Sequence, residues 1–230
     1  MRLEEILLLI PVLLFSVVAH EYAHAEAAYR QGDSTAYMLG RLTFNPLKHI
    51  DLFLTIILPV ALIAMGGPPF GGAKPVPVNP RNYRNYKRGE IIVSLAGIAT
   101  NLVLFVLSAI AYVVVGLLAR WLTMLGPSLA VLQSMTYVSM YINLFLAFFN
   151  IIPLPPLDGS HVLKLLLPPS AGMQFRQLYA LGVIPILIVV WFLPGVINVF
   201  MWPAYKLLGA AFGLVGGFHL PGALPGVLPS

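Results

Sequence analysis

Long apolar runs constrain this chain more than any other feature. One extends from about Ile6 to Tyr29, another from about Ile91 to Leu118, a third from about Leu129 to Ile152 and a fourth from about Val196 to Val215. About 20 such residues in a helix cross the hydrocarbon core of a bilayer. Composition points the same way: 59% of the residues are hydrophobic and only 9% are charged, against roughly 25% charged in soluble domains. Too few charges remain to solvate a globule's surface, so lipid is the natural solvent. Two further apolar segments are shorter, about Leu52 to Met65 with Pro59 inside, and about Gln177 to Phe192. The expected fold is an all-α polytopic membrane protein, a helical bundle of about five to six membrane segments. It forms one domain over residues 1–216, with core helices at about 6–29, 91–118 and 129–152. A Gly/Pro-rich tail over 217–230 is expected to be irregular.

The charges orient this bundle. Eight of the thirteen basic residues (Arg30, Arg41, Lys48, Lys74, Arg81, Arg84, Lys87 and Arg88) lie between positions 30 and 90. The positive-inside rule places that region in the cytoplasm. The first long run then crosses from outside to inside, the run at 91–118 returns, and the run at 129–152 crosses inward again. A full crossing by Leu52–Met65 conflicts with this order. A re-entrant path over 52–78 resolves it: a helix dips in, and extended chain near 68–78 returns to the same side. Such backbone survives at membrane depth only when buried in protein or lining a cavity. The net charge of +5 gives no sign of nucleic-acid binding. The lipid bilayer is the expected environment, and homo-oligomerisation stays open.

The chain has no cysteine, so a metal site must use His, Asp or Glu. His20-Glu21-Tyr22-Ala23-His24 is an H-E-x-x-H motif within the first apolar run. Positions i and i+4 share one helix face, so both imidazoles can reach one metal. Glu21, about 100° round the helix, can take a proton from water that the metal acidifies. Ionisable groups inside a membrane span are costly and mark function more often than structure. A catalytic zinc site has three protein ligands and an open position. Asp158, the one acidic residue after Glu90, is the candidate third ligand. The neighbouring Pro153, Pro155 and Pro156 break the helix and let a carboxylate turn back into the bundle. Asp158 can equally be read as the N-cap of a helix beginning near Ser160. Asn143 and Asn150 lie one heptad apart on the run at 129–152; Asn143 reads as a helix-to-helix hydrogen bonder.

These motifs together resemble the site-2 protease family of intramembrane zinc metalloproteases, in its compact prokaryotic branch without PDZ or CBS domains. The likeness spans about Ala19 to Val162. An N-x-x-P-x-P-x-x-D-G segment follows the H-E-x-x-H helix, with Asn150, Pro153, Pro155, Asp158 and Gly159 on the pattern. Ala96-Gly97-Ile98-Ala99-Thr100-Asn101 resembles the family's small-residue motif, with Ile98 where proline is usual. The resemblance implies one Zn2+ per chain held by His20, His24 and Asp158, with Glu21 as the base. It implies substrate or oxyanion contacts from Asn150 and Asn101. The implied substrate is a transmembrane protein or peptide cleaved within or next to its helix, as in regulated intramembrane proteolysis. The implied location is the prokaryotic cytoplasmic membrane, with the active site nearer the cytoplasm. Two other classes compete: a metal or proton transporter using the same His/Asp site, and an inactive protease-derived scaffold. The absence of paired halves speaks against the first, and the intact motif against the second.

Overall fold

The computed structural model describes residues 3–66 and 71–223. Among these described residues nine α-helices follow in order: α1 (Leu3–Gln31), α2 (Thr35–Met38), α3 (Leu58–Ala64), α4 (Tyr86–Trp121), α5 (Gly126–Ile151), α6 (Asp158–Leu166), α7 (Pro169–Gln177), α8 (Ile184–Phe192) and α9 (Pro194–Val215). No strand occurs among the described residues. Among the described residues four helical stretches, Leu7–Gln31, Tyr86–Trp121, Thr123–Ile151 and Pro194–Phe218, are long and apolar enough to cross a membrane. This chain is therefore an all-α, multi-pass membrane protein.

The bundle is built around α4 and α5, with α1 packed against both. At about 1.5 Å per residue, the 36 residues of α4 exceed a hydrocarbon core of about 30 Å, so α4 projects beyond it. Asn85 starts α4 by accepting a hydrogen bond from the Arg88 N–H. The apolar core brings Tyr112 of α4 and Tyr137, Met140 and Leu144 of α5 together with Met201 and Leu208 of α9. Between the helices, polar groups bond to one another. Ser108 Oγ pairs with Ser139 Oγ at 2.7 Å, and Asn143 Nδ2 donates to Ser16 Oγ at 3.0 Å. Asn143 thus joins α5 to α1.

Hydrogen bonds between helices also fix their directions. Ser16 lies level with Asn143 and Asn101. About two turns on in α1, His24 bonds Val93, which precedes Asn101 in α4. Asp158, beyond the end of α5, reaches the same histidine. So α1 and α5 run parallel and α4 runs against both, which is the arrangement the charge pattern requires.

Between α1 and α4 the chain leaves and returns on one side. Asp51 caps the π-helical segment Leu52–Ile57, which runs into α3. The returning chain over 71–79 is extended and lies beside the outgoing one: Gly72 N–H donates to Leu54 O and Lys74 N–H to His49 O. It ends where α1 ended, with Asn79 N–H donating to Asp33 at 2.6 Å and Arg84 N–H to Gln31 O at 2.8 Å. The part of the expected re-entrant segment at 68–70 lies outside the described residues.

The stretch 177–192, a candidate for a further span, is bent. Gly182, at φ +57°, breaks it, and the pieces before and after meet at 86°. The first residues of the tail are tied to the bundle. Phe218 O accepts from Gln133 Nε2, Leu220 N–H donates to Gln133 Oε1, and Tyr112 Oη pairs with His219 Nδ1, all at 2.8 Å. Residues 224–230 lie outside the described residues.

Candidate metal centre

His20 and His24 project from α1 toward the first residue of α6. His20 Nε2 and His24 Nε2 are 3.0 Å apart, and each lies 3.2 Å from Asp158 Oδ2. Among the described residues this is the group of three whose atoms could hold one metal ion. Asp158 opens α6 behind Leu157, and its carboxylate turns to the histidines. Gly159 makes that turn possible, because a Cβ there would collide with the Ile151 carbonyl.

The far sides of the two rings settle what the near sides present. His20 Nδ1 is 2.6 Å from Asn101 Oδ1, and His24 Nδ1 is 2.7 Å from the Val93 carbonyl oxygen. Both partners are acceptors, the Asn101 amide being oriented by the Asn143 Oδ1 that its own Nδ2 reaches at 2.8 Å. Each Nδ1 therefore carries the hydrogen, and in the neutral ring each Nε2 is a bare lone pair. Three acceptors then converge with no donor among them, and Asp158 Oδ2 is buried without a hydrogen-bond partner. Contact within ion-pair distance of two imidazoles does not satisfy that oxygen unless a cation lies between them. Tetrahedral ligands about 2.0–2.1 Å from zinc sit roughly 3.3–3.4 Å from one another, close to the spacings found. Nitrogen and carboxylate oxygen are also the donors zinc accepts. Gly97 makes the space: a Cβ there would lie 2.5 Å from both His20 Cε1 and His24 Nε2.

Glu21 sits beside the centre, with Oε2 accepting the Val76 N–H at 2.8 Å. That amide belongs to the extended chain over 71–79, which Arg41 steadies from behind by donating to Lys74 O at 2.9 Å. Asn101 is fully buried. Its Oδ1 faces His20, and its Nδ2 faces Asn143 and the Ser16 carbonyl. Both ends of the Asn101 amide are thus engaged within the protein, behind the His20 ring. Asn150, half-buried near the end of α5, donates to Leu146 O in its own helix at 2.9 Å. His161 is bonded to the buried Glu90. Glu90 carried no signal in the sequence, because its partners lie more than 70 residues away on another helix.

The profile of peptidase family M50 matches residues 122–193, the stretch that carries Asn150 and Asp158. YwhC of Bacillus subtilis, named as a zinc metalloprotease, is 36% identical over 195 residues, covering 85% of this chain and 84% of that protein. Rip2 of Mycolicibacterium smegmatis, likewise named, is 37% identical over 165 residues, 71% of this chain and 59% of its own length. Rip2 of Mycobacterium tuberculosis is 32% identical over 157 residues, 68% of this chain and 56% of its own. No solved structure matches the chain.

Proposed function

This chain belongs to peptidase family M50 and is a membrane zinc metalloprotease, and from that premise we propose that it hydrolyses a peptide bond within or next to a transmembrane helix of another protein. The observation that carries the reading is the convergence of three donor-less acceptors, Nε2 of His20, Nε2 of His24 and Oδ2 of Asp158, with Glu21 next to His20 in the chain. These three side chains would hold zinc. When bound, zinc supplies Lewis acidity toward a carbonyl and makes water at the site more acidic. Glu21 takes the proton from that water and passes it to the leaving amine. The Val76 N–H holds one carboxylate oxygen of Glu21 and leaves the other to act as the base. Asn101 and the Val93 carbonyl keep the two imidazoles turned inward. We place Asn150 against the substrate backbone or the developing oxyanion.

A substrate helix must unwind locally, because its carbonyls are tied up in its own hydrogen bonds. The extended chain over 71–79 is the surface we assign to the unwound strand. Its Gly72, Lys74 and Val76 N–H groups are already used by Leu54, His49 and Glu21, and Pro75 and Pro77 have none. The Gly72, Lys74 and Pro75 carbonyls accept from Thr55 and Arg41, so the substrate strand would pair with the backbone groups between them. The density of basic residues between 30 and 90 favours a site on the cytoplasmic side of a prokaryotic cytoplasmic membrane.

The test is Glu21→Gln in enzyme reconstituted with a panel of single-span membrane proteins. Zinc content is expected to stay at the wild-type level while cleavage falls by roughly 10²–10⁴-fold. Undiminished cleavage would refute the assignment of Glu21 as base.

A further inference from the structure

The metal centre is oriented by one face of α4, and the part of that face nearest α6 has no role in the chemistry above. Asn101 bonds His20, Gly97 makes room for both imidazoles, and the Val93 carbonyl bonds His24. Positions 93, 97 and 101 are spaced by four, so they share a helix face. One turn earlier on the same face stands Glu90. It is 2% exposed, and a carboxylate so deeply buried is tolerated only with charged partners. Both partners come from α6: His161 Nδ1 lies 3.0 Å from Glu90 Oε1, and Lys164 Nζ pairs with the same oxygen. They are three and six residues beyond Asp158, within the nine residues of α6. Glu90 Oε2 has no partner, so the carboxylate is committed to α6 through one oxygen. Ser160 Oγ lies 2.7 Å from Tyr179 Oη, and the Tyr179 ring also packs on His161, with centroids 5.1 Å apart.

We infer that Glu90, through Lys164 and His161, is a positioning residue for the metal centre: it docks α6 onto α4 so that Asp158 meets His20 and His24. The inference rests on the ligand set proposed above. On this account α4 orients every ligand: His20 through Asn101, His24 through Val93 and Asp158 through Glu90. Asp158 needs this help most. The histidines share one continuous helix, while Asp158 follows a proline-broken turn.

The test measures zinc affinity by chelator competition on the full chain in detergent, with cobalt substitution to read ligand geometry. Glu90→Gln and Lys164→Met are each expected to weaken zinc binding about 10–100-fold, the usual cost of losing a group that orients a ligand, and to alter the cobalt visible spectrum. The double variant should lose little more than either single one, because both remove the same link. Lys164→Arg, which keeps the charge, should retain most of the affinity. Wild-type affinity and an unchanged cobalt spectrum in both Glu90→Gln and Lys164→Met, with only a lowered melting temperature, would overturn the inference and leave the pair a plain structural contact. Asp158→Ala and His24→Ala serve as controls. Zinc retained by these would overturn the ligand set itself, whereas zinc lost by them but kept by Glu90→Gln would overturn the positioning role alone.

Discussion

The two faces of α4 obey opposite rules. Outward, Val103, Val106, Leu107 and Ile110 are each more than half exposed, and lipid asks of them only that they be apolar. Inward, Glu90, Ser94, Asn101 and Ser108 are buried, and the contacts described above account for Glu90, Asn101 and Ser108 one by one. In water this pattern would be inside out. In a bilayer it means that the outward face carries little information beyond composition, while Glu90, Asn101 and Ser108 hold specific partners on other helices, because an unpaired polar group there costs several kcal/mol.

That contrast can be broken or sharpened by substitution. The largest effect is expected at Gly97, where even alanine puts a carbon among the imidazoles. Gly97→Ala should reduce zinc affinity by about 100-fold or more, at the upper end of what misplaced ligands cost; wild-type zinc binding in this variant would break the comparison. Asn101→Leu comes next, with an expected loss of about 10–100-fold in zinc affinity, measured by the same competition. A smaller, pH-dependent effect belongs to Asp33, outside the spans. Burial opposes its charge, but the Asn79 N–H, the Thr35 hydroxyl and the Asn82 amide all donate to it, and its carboxyl is held below the usual range. A lowered carboxyl pKa adds stability that is fully present above the unfolded value, about 3.9, and is lost as pH falls through the folded one. Asp33→Asn should therefore melt below wild type at neutral pH, and the gap should close on acidification; a gap that stays constant would show the charge to be idle. Smallest of all is Val106→Leu on the lipid face, expected to change stability by no more than about 0.5 kcal/mol.

What was legible in the sequence was whatever a short spacing encodes. His20, Glu21 and His24 sit within five residues, and the proline-rich run before Asp158 signals a broken helix by local chemistry. The parallel course of α1 and α5 followed from basic-residue placement, which acts over the whole membrane. The route of the chain between α1 and α4 followed from the same count. The rest depended on contacts between distant segments. Glu90 meets Lys164 and His161 only because α6 folds back across α4, and no spacing in the sequence announces that. The motif at Asn101 did not show that three helices bury it behind His20. The break at Gly182 lies inside an apolar stretch whose hydropathy suits a span; a positive φ, open to glycine at little cost, decided it instead.

The central claim is that His20, His24 and Asp158 share one zinc ion. Elemental analysis of the purified full chain and of Asp158→Ala tests it most directly. About one zinc per wild-type chain, falling to a small fraction in Asp158→Ala while that variant stays folded and membrane-inserted, is the predicted result. Full zinc occupancy in Asp158→Ala would contradict it.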